Sequence, residues 1–308
     1  MIDRFPTPLA TEYIDGNKTN PNYGAYDASG PYLNFHILRV ASWAIVTLGE
    51  NGIPRNSQGG GEHYNPVTIA HYGLEMASQH LRDLGDRRTE VARIVRYALQ
   101  AQNRDGGWPF TFDHTFFAGR VRPMPAGWYS ALSQGMMISV YARWHSRISG
   151  GSNTFPEAAL RDSIERSCDI IALDVERGGV RRRIFDGMDF YEEYPTHPPS
   201  LVLNGFMFCL LGLYDGAQVF GSQSCGELYE RGVATLAKVL AMYDLADGSS
   251  YDLTHITTGI EGPNQARSAY HRLHISLLAA LSSVNEGRFD RIVSRWDSYL
   301  KGNRLRTN

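Results

Sequence analysis

Cysteine is scarce: Cys168, Cys209 and Cys225 are three in 308 residues, without the paired spacing of a metal knuckle or a disulfide framework. Cys168 and Cys209 lie in apolar helical patterns, which predicts buried free thiols. An excess of positive charge is also missing. The formal net charge is −2, so no global field attracts nucleic acid or a membrane surface. An acidic polymer would have to be held by local arginines. The opening MIDRFPTPLATEY lacks the apolar core of a signal peptide. The greasiest run, Leu201 to Leu213, is shorter than the ~20 residues of a membrane span. These absences predict a soluble and cytoplasmic protein. Nucleophile elbow, P-loop and dinucleotide fingerprint are absent as well, and no strong internal repeat is visible.

What is present is a hydrophobic content of 43%, enough for one large domain or two ordinary ones. The stretch Asp189 to Asp215 organises the rest. It sets Tyr191, Glu192, Glu193 and Tyr194 before a proline-rich link and then a helix that is apolar on nearly every side. Such a helix belongs in the middle of a domain. The acids and phenols are thereby delivered to the mouth of something buried, where burial moves pKa values toward neutrality.

Residues 1 to about 60 are rich in Gly, Asn, Pro and Tyr. Their one strong apolar stretch, Tyr32 to Leu48, leaves strand and helix open, and Asn56 to Gly61 reads as a loop. From Tyr64 the period becomes helical. Asn65 and Pro66 mark a first helix through Leu81, and a second runs through Val91 to Gln102. Later helices span about Trp128–Trp144, Thr154–Val175 (opened by a Thr154/Glu157 capping box) and the run from Ser200. Three more cover Gly226–Tyr243, Ala269–Ser282 and Arg288–Leu300. Gly178 to Phe190, with Asp186-Gly187 at its centre, reads as a β-hairpin. The expectation is an all-α fold: an (α/α) toroid of about eight helices over residues 61–308, with a short hairpin. Residues 1–60 form an N-terminal extension packed on it.

Candidates for chemistry fall in a few loops. They are Tyr191 to Tyr194; Tyr251, Asp252 and His255; Arg267, Tyr270, His271 and His274; and Trp108, Arg120, Arg122, Trp128 and Tyr129. Rings that stack on a sugar and arginines that fork onto carboxylate or sulfate suit an anionic glycan. Each has a plainer alternative. Tyrosines at helix ends usually pack, Glu192 and Glu193 could cap the helix near Ser200, and Arg181-Arg182-Arg183 could be a solvated strand face. The histidine spacing matches no familiar metal site, so no metal or cofactor is expected.

The motifs DFYEEYP, PSLVLNGFMFCLLGLYD, YERG, SSYDLTH and RWDSYLKGNRLRTN resemble the C-terminal part of heparan sulfate/heparosan glucuronyl C5-epimerases. YNPVTIAHYGL, NRDGGWPF and GWYSALSQG look like the same family in the same order. The resemblance covers about Tyr64 to Asn308. It implies a ring of paired helices, conversion of glucuronate to iduronate in a heparosan-type polysaccharide, no cofactor and a homodimer. Animal members carry a large β-sandwich where this chain has only Gly85 to Thr89 between two helices, so that domain and its calcium are not expected. The resemblance places catalytic roles on Glu193, Tyr194, Tyr251 and Tyr270. It places substrate contacts on Trp128, Tyr129, Asn204, His255, Arg267 and His274, and Trp108, Arg120, Arg122, Arg181 and Arg183 are further candidates. Thr254 stands where animal enzymes have an arginine in the YDLRH motif.

Removing the C5 hydrogen of a uronate makes an enediolate, which needs cationic or hydrogen-bonding partners and a proton carrier on each ring face. Glutamate and tyrosine can serve if one is ionised and the other protonated. The same intermediate could expel its 4-O substituent, making a uronate lyase. A non-catalytic acidic-glycan-binding protein is the alternative of another class.

Overall fold

A computed structural model describes residues 25–58, 61–116, 121–151, 154–259 and 262–302. Helices dominate. The first, α1 (Pro66–Leu81), starts as its sequence dictates: the Asn65 side chain accepts from the amides of Val67 and Thr68 at 2.9 and 3.3 Å, and Pro66 takes the position where no amide is needed. It is followed by α2 (Arg88–Ala101), α3 (Ala131–Arg143), α4 (Glu157–Ala172), α5 (Leu203–Phe220), α6 (Gln223–Val239), α7 (Thr254–Thr258), α8 (Ser268–Ser283) and α9 (Asp290–Gly302).

Burial sorts these helices into two layers. α1, α3, α5 and α8 are buried on nearly every side, and every residue of α3 is inside. They pack in the order α1–α3–α5–α8. The amphipathic α2, α4, α6 and α9 lie against them, α2 on α1, α4 on α3, α6 on α5 and α9 on α8. Glycine makes the tightest of these joints. A methyl group on Gly135 of α3 would meet the Cys209 backbone at 2.5 Å, and one on Gly212 of α5 would strike the Gly135 carbonyl. Gly212→Ala should therefore lower stability by about 1–3 kcal/mol, the usual range for overpacking. A urea midpoint equal to wild type would contradict this close approach.

Two small antiparallel sheets accompany the helices. β1 (Val46–Leu48), β2 (Pro54–Gln58) and β3 (Gly61–His63) form one, in that order. β4 (Arg181–Ile184) and β5 (Met188–Tyr191) form the predicted hairpin, with Gly187 at φ 84° in its turn. The Tyr32–Leu48 stretch resolves into 3₁₀ turns and then β1; of the expected loop Asn56–Gly61, Asn56 to Gln58 lie in β2 and Gly61 starts β3, and the two residues between lie outside the described ones. Tyr32, Phe35, Leu38, Val40, Trp43 and Ile53 belong to the same apolar cluster as the helices. The Val40 amide also donates to Glu75 of α1 at 2.8 Å.

Some boundaries differ from expectation for local reasons. α3 begins at Ala131, not Trp128, because the backbone around Trp128 bonds to Phe110 instead. α4 begins at Glu157, three residues after Thr154, with Pro156 at its cap position and Glu157 paired with Arg161. α5 runs past Leu213 to Phe220, where Gly221 at φ 63° closes it. The short α7 inside the SSYDLTH loop was not expected; Asp252 starts it by accepting from the Thr254 amide at 2.9 Å. All three cysteines are free and buried, with the sulfurs of Cys168 and Cys225 3.3 Å apart. No helix among the described residues is long and apolar enough to cross a membrane.

Candidate active site

β5 delivers Glu192 and Glu193 to the entrance of α5. Backbone alternation sends their carboxylates to different neighbours. Glu193 turns to the first turn of α5, where it accepts from the Asn204 side chain at 3.2 Å and from the Gly205 amide. α5 has no side-chain cap from its own N-cap residue Val202, so Glu193 fills that role from outside and meets the positive end of the helix. Gly205 is required here, since a Cβ would run into the Glu193 side chain. Glu193 is only 4% exposed, and burial pushes its carboxyl up to about 7 against these hydrogen bonds.

The Tyr194 hydroxyl donates to Glu193 and accepts from Tyr251. The Tyr251 ring meets Tyr270 edge-on at 4.9 Å. Burial, reinforced by the Glu193 charge, holds both Tyr194 and Tyr251 well above the ordinary phenol range. Burial raises the neighbouring Glu192 to about 7 too, but it is Glu193 that is bonded to Tyr194, and through it to Tyr251, two phenols that keep their protons.

Around Tyr194 is an aromatic wall. Its ring is parallel to Phe116 at 4.7 Å and lies 5.2 Å from His114 and 6.0 Å from Trp128. Trp128 in turn stacks on Phe110 at 3.8 Å. His114 and Phe116 were not foreseen. Phe110, Phe112, His114 and Phe116 recur at every second position, a strand-type alternation that would have placed them on one face.

The structure brings Glu193, Tyr194, Tyr251, Tyr270, Asn204 and Trp128 into one connected group. The buried Asn204 Oδ1 and the half-buried His255 Nδ1 have no hydrogen-bond partner among the described residues. The exposed Arg267 sits at the N-cap of α8. Arg122 is exposed, and its amide donates to the His197 carbonyl at 3.1 Å.

Other candidates are placed in structural roles. Trp108 is 2% exposed and donates its ring N–H to the Ala98 carbonyl at 2.8 Å, which makes it core. The Tyr129 hydroxyl is spent on the NRDGG turn, accepting from Asn103 at 2.6 Å and reaching Asp105 at 3.2 Å. His274 is fully buried. The Trp296 carbonyl can only accept, so His271 Nε2 carries the proton and its Nδ1 accepts from Ser249 at 2.9 Å. Ser249 then accepts from His274 Nδ1 at 2.8 Å, and burial pushes His274 down to about 3. That neutral pair ties α8 to the Ser249 loop and to α9. Arg181 is committed to Asp174 at 2.8 Å, whereas Arg183 is 62% exposed. Arg120 lies outside the described residues.

The protein is mainly helical and carries a buried carboxyl and phenols on one hydrogen-bond chain, a candidate acid–base site. The family described as D-glucuronyl C5-epimerase C-terminus matches residues 102–298. The chain belongs to that family. It is 34% identical over 225 residues to a D-glucuronyl C5-epimerase of Caenorhabditis elegans, which covers 69% of this chain and 35% of the worm protein. An uncharacterised protein of Methanocaldococcus jannaschii is 28% identical over 149 residues, 47% of this chain and 44% of the archaeal one. The chain thus spans about a third of the worm protein and less than half of the archaeal one.

Proposed function

We propose that this protein is a D-glucuronyl C5-epimerase that interconverts glucuronate and iduronate within a heparosan- or heparan-type polysaccharide. The observation that carries the proposal is Glu193, raised to about 7 and hydrogen-bonded to a tyrosine that is itself held protonated. C5 epimerisation needs that division of labour between a base and an acid. Glu193 takes the C5 proton of glucuronate, and Tyr270 delivers a proton to the opposite ring face. Tyr194 and Tyr251 orient the ring and hold the Glu193 proton in place. Asn204 and His255 supply the unpartnered polar atoms that meet the sugar, and Arg267 and Arg122 attract its carboxylate. The inner row α1, α3, α5, α8 and outer row α2, α4, α6, α9 are what an (α/α) toroid would contain, with the site at one end.

Mixing the protein with heparosan in D₂O tests this directly. Deuterium at C5 without unsaturated products is the expected result. Unsaturated ends would make it a lyase, and absence of both would make it a binder.

Binding should also weaken with salt. The exposed Arg122, Arg183 and Arg267 are local cations on a chain of net charge −2. Affinity for heparosan should fall several-fold between 50 mM and 500 mM salt, about as expected when the screening length shrinks below 10 Å. An unchanged Kd would remove these arginines from the substrate path.

A further inference from the structure

Glu192 is as buried as Glu193, yet its carboxylate faces the link between Tyr194 and α5. Its Oε2 accepts from the Ser200 hydroxyl at 3.1 Å and from the Leu201 amide at 3.0 Å, and its Oε1 is 3.7 Å from Arg182 Nε. Arg182 braces the same link further back, donating to the Thr196 carbonyl at 2.8 Å and pairing with Glu176. The link needs such holding. Leu201 has φ 52°, a left-handed conformation that a γ-branched side chain adopts only under constraint. Its amide is gripped by Glu192, and its carbonyl accepts from the Tyr243 hydroxyl at 2.7 Å.

The constrained turn reaches the proton-transfer groups through the backbone. The Leu203 amide donates to the Tyr251 carbonyl at 3.1 Å, and the Leu253 amide donates to the Ser200 carbonyl at 3.1 Å. Two residues past Leu201 begins the turn of α5 whose Asn204 and Gly205 hold Glu193. One strained link therefore sets both where Tyr251 stands and where Glu193 is held.

We propose that Glu192 is the positioning residue of this site: its carboxylate locks the left-handed Leu201 turn and so registers Tyr251 against Glu193. It does not itself exchange protons with substrate. This rests on Glu193 being the group that meets the uronate. Electrostatics adds a second consequence. Glu193 is faced by Glu192 from its own strand end, by Tyr194 and Tyr251, and by Asn204 and the Gly205 amide of α5. Arg182 and the Tyr243 hydroxyl neighbour Glu192. Among these, the Glu192 charge is the one that raises Glu193 beyond the effect of burial.

Two variants of the full chain separate the roles. Glu192→Gln keeps an acceptor for Ser200 and Leu201 but removes the charge; Glu192→Ala removes both. Burial pushes Glu192 up to about 7 as well, so the two neighbouring carboxyls titrate together. In Glu192→Gln, the acid limb of kcat for C5 deuterium exchange from glucuronate should move to lower pH by about 0.5–1 unit, because Glu193 then ionises without a second ionising carboxyl beside it. In Glu192→Ala, kcat should fall about 10–100-fold with KM nearly unchanged, the signature of misplaced groups rather than lost binding. Amide hydrogen exchange over residues 200–204 and 251–253 should accelerate in Glu192→Ala and stay slow in Glu192→Gln. The inference is overturned if Glu192→Ala leaves those amides protected, or if folded Glu192→Gln is as inactive as Glu193→Gln. Wild-type protein that exchanges no C5 hydrogen on any uronan would overturn the proposed function instead, and the amide protection would still decide the role of Glu192.

Discussion

Glu193→Gln and Tyr270→Phe should each lose C5 exchange by at least about 100-fold, roughly 2.7 kcal/mol of barrier, while remaining folded. The glutamine retains an acceptor for Asn204 and the Gly205 amide, so the loss would report proton transfer rather than collapse of the α5 entrance. In wild type, burial pushes Glu193 up to about 7. A base must be ionised to act, so exchange starting from glucuronate should fall as pH drops through that value. Starting from iduronate, the same carboxyl must be protonated, and exchange should fall as pH rises through it. A single profile identical in both directions would disconnect Glu193 from the proton. Near-normal activity in either variant would move its role to Tyr194 or Tyr251. Those two phenols share its hydrogen-bond chain, and both are held protonated.

Asp215→Ala should destabilise the fold by about 3–5 kcal/mol, the usual consequence of stripping one partner from a buried ion pair. Asp215 of α5 and Arg143 of α3 are both fully buried, 2.7 Å apart. The same Asp215 oxygen accepts from Ser139 at 2.6 Å and from Tyr26 at 2.9 Å, and the Arg143 guanidinium lies 4.8 Å over the Tyr32 ring. The Asp215 charge holds Arg143 protonated, so removing the carboxylate leaves a buried cation that, among the described residues, keeps Tyr26, the Ser139 and Asp27 carbonyls, two rings and the weaker pull of the Asp27 carboxylate. Arg143→Met combined with Asp215→Leu should recover most of the loss, because neither charge is then stranded. Urea unfolding of the single and double variants measures this. Full additivity of the two single losses would contradict the pairing.

The sequence alone determined the elements whose signals are local. Asn65-Pro66 set the start of α1, Asp186-Gly187 set the hairpin turn, and the unbroken apolar run around Leu210 marked α5 as central. It also brought out the Glu193-Tyr194 stretch, because acids and phenols beside a greasy helix stand out from any ordinary surface pattern.

What tertiary structure decided is which of two similar residues does which job. Glu192 and Glu193 are indistinguishable as letters. A one-residue step along an extended backbone turns one to the Leu201 turn and the other to the α5 entrance. Trp108, Tyr129 and His274 looked as suited to a sugar as Trp128 does. Asn103 and Ser249 occupy the polar atoms of Tyr129 and His274, and Trp108 is packed into the main core, whereas Trp128, whose ring N–H is likewise spent on the Phe112 carbonyl, keeps its ring in the wall beside Tyr194. The same holds for Arg181, whose charge goes to Asp174 rather than outward. Helix starts and turns depend on neighbours within a few residues, and a sequence displays those. The fate of a polar side chain depends on which distant donor or acceptor folding brings within 3 Å of it, and only the packed structure settles that.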